Sequence, residues 1–343
     1  MQKKTSIFHK FLYFINSIFA LLLLLSYALP FLKPSILGRF AGVSLLTPLL
    51  ILVNMLFVVY WLLRMKRTIF LSLIVLGLGF TNISRFYKFS GKKVMLADDV
   101  KIMSYNVRMF NKYNWIKDDS IPAKINEFIH EKAPDIICFQ EYSLTAAVKL
   151  DYKYKYEVYS KESKRFGHAI FSKYPIIAKG NLDFKGTANN IIYADVLIDR
   201  DTLRVYNVHL QSLRINPKNE DINQENANRL RLRVGEAFIA QQKQVEIFLA
   251  HQKEVKHRLI IAGDFNNTAF SWPYRALLKG KNDAFVKAGK GFDKTYDFAF
   301  PMRIDFILAD KEIKINHFKT YRNKYSDHYP ILTRLDRKSL TNK

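Results

Sequence analysis

The chain is 343 residues long and 49% hydrophobic, with 54 Lys and Arg against 30 Asp and Glu. Its first acidic residue is Asp98, and the residues from there on hold 42 Lys and Arg against all 30 acids, a net of +12; this asymmetry excludes one uniformly water-soluble domain. The single cysteine, Cys138, excludes an intrachain disulfide and a cysteine-based zinc cluster, while the basic excess favours anionic partners without choosing among nucleic acid, phosphorylated metabolites and lipid headgroups.

Residues 11–32 are almost wholly apolar, and residues 43–63 are apolar again. Each run reaches the roughly 20 residues that cross a hydrocarbon core. A third run, 69–83, extends to 86 if Arg85 snorkels. Residues 1–90 are therefore expected to form an anchor of two to three transmembrane helices, over about 11–32, 43–63 and 69–86. No small-residue cleavage site follows the first run and a second span arrives at once, so a retained anchor is expected rather than a signal peptide. Lys3, Lys4 and Lys10 precede the first span, and Arg64, Lys66 and Arg67 separate the second from the third, which assigns both clusters to the cytoplasmic side. Three spans put the remainder outside the cytoplasm, in an integral protein of the cell inner membrane. Arg85, Lys88, Lys92 and Lys93 argue the other way, and a third run lying on the surface would keep the remainder inside. Nothing in the spans reads as a transport path, so anchoring is the simpler role.

Beyond Asp98 short apolar runs alternate with turns. Strands are expected over 100–106, 135–141, 169–172, 193–198, 203–210, 258–266 and 303–309. Several are apolar on successive residues, which suits strands covered on both faces. A helix is expected from Pro122 to His130, and another over 225–255, where Leu230, Val234, Phe238, Val245 and Phe248 fall near one face. The polar stretch 214–228 before it reads as a loop.

Nearly every strand ends in residues useful to phosphate chemistry: Asn106, Glu141, Asn207 with His209, Asp264 with Asn266, and Asp305, followed by Asp327-His328. Singly, a carboxylate closing a strand is usually a turn or a helix cap. Hydrolysis of an anionic phosphate ester needs positive charge on the phosphoryl oxygens, an activated water and a protonated leaving group. Glu141 with Asn106 offers hard oxygen ligands suited to Mg2+ or Mn2+.

In this order the motifs resemble the endonuclease/exonuclease/phosphatase superfamily, metal-dependent phosphoesterases related to DNase I. The resemblance covers about residues 99–335 and includes Gly167-His168-Ala169-Ile170-Phe171-Ser172 and Thr295-Tyr296 ahead of Arg303-Ile304-Asp305. It implies a four-layer α/β sandwich over 98–337. It further implies that Glu141 is the principal metal ligand, assisted by Asn106, with Asp327 beside metal and phosphate. Asp264 and Asn266 would orient and activate the attacking water, Asp305 would hold the tautomer of His328, and Asn207 and His209 would bind phosphate and leaving oxygen. His168 reads as a structural or substrate-edge residue.

The expected activity is that of a membrane-anchored, Mg2+-dependent phosphodiesterase of endonuclease type. A lipid phosphodiesterase or phosphatase of sphingomyelinase type is the alternative, and an inactive binding module a third. The chain has Arg303-Ile304-Asp305-Phe306 where inositol polyphosphate phosphatases carry Cys-Asp-Arg, and the run after Asn266 looks more like sphingomyelinase-type and bacterial members than abasic-site endonucleases. The expected partners are a phosphate ester, nucleic acid or lipid headgroup, and the bilayer; no obligate protein partner is implied.

Overall fold

The computed structural model describes residues 7–143, 148–160, 166–215 and 224–340. Two of its helical segments, Ile7–Phe31 and Phe40–Leu63, are long and apolar enough to cross a membrane. The third run divides instead at Gly79 into Ile69–Leu78 and Phe80–Phe86, bent by 77°. Glycine is a poor helix former, and a Cβ at Gly79 would lie 2.0 Å from the Tyr27 hydroxyl.

The helices pack as an antiparallel set with a polar centre. Trp61 Nε1 donates to Asn16 Oδ1 at 2.8 Å, Asn16 Nδ2 to Ser72 Oγ at 2.6 Å, and Ser72 Oγ to Asn54 Oδ1 at 2.9 Å. Asn16, Asn54 and Ser72 are fully buried, so these bonds fix which helix faces meet where apolar packing alone would not. At one end of the set His9 meets Arg64 at 3.0 Å; at the other, Tyr27 donates to the Val75 carbonyl.

The remainder builds two six-stranded sheets. The first runs, in spatial order, Ile315–Thr320, Ile331–Leu335, Val100–Asn106, Ile136–Tyr142, Gly167–Ser172 and Tyr154–Tyr159. The second runs Lys281–Asp283, Asp305–Asp310, Arg258–Asp264, Asp201–His209, Ile191–Ile198 and Ile176–Asn181. Alternate residues go to opposite faces. Ile102, Ile136, Cys138 and Ile170 meet Ala194, Val205, Ile260 and Ile307 between the sheets. Met103, Ile137 and Phe139 turn outward to Ile125 and Phe128 of the helix Ile121–Lys132. Tyr206, Ile261 and Phe306 turn outward to Val245 and Phe248 of Gln224–Gln252 and to Tyr274 of Trp272–Leu278. The result is the expected four layers, helix on sheet on sheet on helix.

Strands at the sheet margins, Tyr154–Tyr159, Ile176–Asn181, Lys281–Asp283 and Ile315–Thr320, were not expected from the sequence, nor was the short Ile331–Leu335. Of the expected loop 214–228, residues 224–228 are helical because Gln224–Gln252 begins there, and 216–223 lie outside the described residues.

Gly263 occupies the strand beside Asp264 with φ +151°, and a Cβ there would sit 1.9 Å from the Val208 carbonyl oxygen. Gly263→Ala is therefore expected to cost several kcal/mol, on the order of 3, read as a fall in the thermal midpoint; an unchanged midpoint would mean the two strands can separate locally.

The helices and the sheets are packed together. Phe86 stacks on Phe300 at 5.9 Å and meets Phe292 edge-on at 5.0 Å. Tyr87–Lys88 pairs antiparallel with Gly291–Phe292. Phe270 joins Leu23, Leu50, Val75 and Leu76 in one apolar cluster, so the sheets adjoin the Tyr27 end, away from Arg64.

Candidate active site

Strand register explains why the polar residues meet. In the second sheet His209 pairs with Asp264 across a parallel ladder and Asp264 with Asp305 across an antiparallel one, so three functional groups stand abreast. In the first sheet Asn106 pairs with Gln140, one residue before Glu141. Asn106 bridges the two sheets, its Nδ2 donating to Asp264 Oδ2 at 3.1 Å and to Glu141 Oε1 at 3.4 Å. Its Oδ1 accepts from the Arg108 backbone N–H. The backbone here is unusual: Glu141, Asn266 and the four residues Arg108 to Asn111 all have φ between +41° and +61°. Such conformations cost roughly 1–2 kcal/mol each for residues other than glycine. Glu141 and Asn266 among them line the cleft, and Arg108 reaches Asp327 at its edge.

Asp264 is buried, and its Oδ1 accepts from the Asn266 N–H at 2.7 Å. Its Oδ2 lies 3.7 Å from both His209 Nε2 and His328 Nε2. His328 Nδ1 contacts Asp305 Oδ2 at 3.0 Å. Asp305 is itself held by its N–H donating to Thr295 Oγ1 at 3.1 Å. Ser326 Oγ donates to the Asn106 carbonyl at 2.9 Å and accepts from the His328 N–H, which ties the loop carrying Asp327 and His328 to the first sheet. Asp327 Oδ2 lies 3.3 Å from Arg108 Nη1.

Charge follows from burial and neighbours. Burial opposes a charged His328, yet Asp305 and Asp264 raise its pKa to about 10, making it an imidazolium. Burial raises Asp264 to about 7, eased by His328. Glu141 is raised by burial and then by Asp327. His209 is pushed well below its ordinary value by burial, with His168 and His328 adding to this, so it is neutral.

The nine residues do not stand alike. Glu141, Asp264, Asn266, Asp327 and His328 line one cavity of about 440 Å³. Asn106 and Asp305 lie directly behind them. His209 is 2% exposed, behind Asp264. Asn207 is fully buried and its amide is engaged: Nδ2 donates to the Phe139 and Ala169 carbonyls at 2.7 and 3.0 Å, and Oδ1 accepts from Gln140 Nε2 at 2.7 Å. That geometry corrects the expected phosphate contact, because Asn207 clamps the sheets together beneath the cleft. Asn207→Leu is expected to cost about 3 kcal/mol by leaving buried partners unpaired, measured by chemical denaturation; a loss under about 0.5 kcal/mol would refute the clamp.

Sequence reasoning missed Arg108, whose guanidinium sits 4.5 Å over the Trp115 ring as well as beside Asp327. Its role depends on the left-handed turn after Asn106, which no residue pattern announces. Tyr296 was noted only as a family match; its ring lies 5.0 Å from that of His328 and lines the cavity. His168 is buried, its ring edge-to-face with His209 at 5.4 Å.

Two groups of ligands could take a metal. Asp264, Asp305 and His328 have ligand atoms within 4.8 Å of one another, but the last two already bond each other and the imidazolium repels a cation. Glu141 and Asp327 repel each other, and no ion pair with Glu141 occurs among the described residues. Hard oxygens with surplus negative charge fit a small divalent cation, so this second group fits better, with Asn106 contributing once its amide turns over.

A family model described as Endonuclease/Exonuclease/phosphatase family matches residues 103–328, and one described as a domain of unknown function (DUF8431) matches residues 9–86. No curated protein matches. Among solved structures, an endonuclease/exonuclease/phosphatase from Bacteroides vulgatus is 18% identical with a TM-score of 0.52, covering 69% of this chain and 98% of its own. A humanized D. rerio TDP2 is also 18% identical at TM-score 0.52, covering 69% and 99%. The human Nocturnin catalytic domain with bound sulfate is 15% identical at TM-score 0.52, covering 71% and 95%. With two-thirds of its length matched, two sheets flanked by helices and a buried acid–imidazole cleft, the chain belongs to the endonuclease/exonuclease/phosphatase family, whose members are phosphoester-hydrolysing enzymes.

Proposed function

We propose that the chain is a membrane-anchored phosphodiesterase that hydrolyses its substrate with Mg2+ or Mn2+ held by Glu141, Asp327 and Asn106. The observation that carries this reading is the meeting, in one cleft, of that oxygen set with Asp264 and the Asp305–His328 pair. The bound cation would supply charge to a phosphoryl oxygen. Asp264, fixed by Asn106 and the Asn266 N–H, orients the attacking water and takes its proton. Asn266 places a polar side chain on the same wall. His328, held by Asp305, presents Nε2 to the phosphoryl group, and Arg108 keeps Asp327 in position. His209 supports Asp264 from behind as a neutral ring.

The basic ends of the helices, at Lys10, Arg64, Lys66 and Arg67, lie opposite the sheets, which supports a placement outside the cytoplasm at a cell inner membrane. Residues 69–86 take part in this crossing although bent, since Ser72 reaches Asn16 and Gly79 reaches Tyr27.

The test is hydrolysis of bis(p-nitrophenyl) phosphate by the full chain in detergent micelles. Turnover is expected with Mg2+ and none after chelation. Turnover that persists in chelator would remove the metal from the mechanism.

A further inference from the structure

The apolar helices do more than tether. The cavity that holds Glu141, Asp264 and His328 is walled on another side by Leu45, Leu46, Pro48 and Leu49, at the start of the second membrane-length segment. Phe270, Phe298, Phe300 and Met302 continue that wall from the sheet unit. Leu46 is 51% exposed and Leu49 45%, so their side chains are open to a ligand. Arg85 and Arg214 line the same cavity. One space therefore offers acids and imidazole, three arginines with Arg303 counted, and a leucine–phenylalanine wall that begins in a membrane-length segment.

We infer that the substrate is an amphiphilic phosphoester drawn from the bilayer, its phosphate at the Glu141–His328 end and its apolar tail along Leu45, Leu46 and Leu49. This rests on the phosphodiesterase reading above and adds the substrate class to it. Three physical reasons favour an amphiphile over a nucleic acid. A polyanion brought to this cleft would press its backbone against exposed leucines with nothing apolar to bury. A lipid tail covers those leucines with apolar surface and so removes them from water. The wall also belongs to helices whose remaining surface is itself apolar and exposed, including Leu52, Leu56 and Phe31, so a tail passes from bilayer to cleft without crossing water. Balanced, the reaction adds the water oxygen to phosphorus and breaks one P–O ester bond; the departing oxygen takes a proton, leaving an alcohol and a phosphate monoester.

The test uses the full chain reconstituted with Mg2+ in vesicles of phosphatidylcholine containing phosphatidylglycerol, beside bis(p-nitrophenyl) phosphate and single-stranded DNA in solution. A vesicle lipid is expected to be hydrolysed with kcat/KM at least a hundredfold above the soluble diester. The double variant Leu46→Asn, Leu49→Asn is expected to lower the lipid-to-soluble rate ratio at least tenfold, and Leu46→Phe, Leu49→Phe to restore it. Without any metal, a phospholipid with a diazirine in its tail is expected to crosslink to residues 45–49 and 298–302. Cleavage of DNA and the soluble diester with no lipid hydrolysed overturns this inference and leaves the phosphodiesterase standing. An unmoved ratio in the asparagine variant, or crosslinks confined elsewhere, overturns it as well. Inactivity on every substrate overturns both readings.

Discussion

Glu141→Gln is expected to reduce Mg2+-dependent hydrolysis of bis(p-nitrophenyl) phosphate on the order of a thousandfold, about 4 kcal/mol of transition-state stabilisation. The substitution preserves volume and leaves an amide oxygen to accept from Asn106 Nδ2, which now lies 3.4 Å from Glu141 Oε1. What it removes is charge. Burial and Asp327 already disfavour the Glu141 carboxylate, so the fold tolerates its neutralisation, whereas a cation held as proposed by Glu141 and Asp327 would lose half of its formal counter-charge. The metal dependence should therefore move with the rate: the Mg2+ concentration giving half-maximal turnover should rise together with the fall in kcat. A variant within threefold of the parent at saturating Mg2+ would locate the metal elsewhere, the Asp264–Asp305–His328 group being the place to look.

Asp305→Asn is expected to lower kcat on the order of a hundredfold with little change in KM, and His328→Gln by at least as much. Asp305 touches no open part of the cleft; it acts through His328 Nδ1 at 3.0 Å and through the charge that raises that imidazole to about 10. An asparagine keeps the volume, but its amide offers no charge to hold the imidazolium. Because the two residues form one unit, the double variant should be no slower than His328→Gln alone. Penalties that add would show two independent contributions and break the pairing. In a pH–rate profile the single Asp305→Asn variant should lose activity on the alkaline side at a lower pH than the parent, since a lowered His328 pKa deprotonates the ring sooner.

The central strands were legible because each is covered on both faces, and burial writes a continuous apolar run into the sequence. Val100–Asn106 and Arg258–Asp264 carry such runs, and their polar ends follow as departures from them. Tyr154–Tyr159 and Ile176–Asn181 are partly exposed marginal strands. Their polar residues satisfy strand geometry and loop composition alike, and only pairing with Gly167–Ser172 and Ile191–Ile198 makes them strands. Asn207 shows the opposite failure. A buried amide and a ligand amide look the same in sequence, and the difference lies in the Gln140, Phe139 and Ala169 partners supplied by the other sheet.

The sequence alone determined two chemically distinct parts, the membrane-length runs, the layered α/β class and the residue types that close the central strands, because all of these follow from local composition and the period of burial. Tertiary structure decided which polar ends share a cleft, because that depends on register: Asp305 beside Asp264 beside His209, with Asn106 crossing from the other sheet. It also decided that the third run bends at Gly79, where a neighbouring tyrosine leaves no room for a side chain. Most of all it decided that Leu46 and Glu141 face one cavity. Residues 95 positions apart have no local signal of each other, and only the packing of the apolar helices against the sheets brings leucines of one to the acid–imidazole cleft of the other.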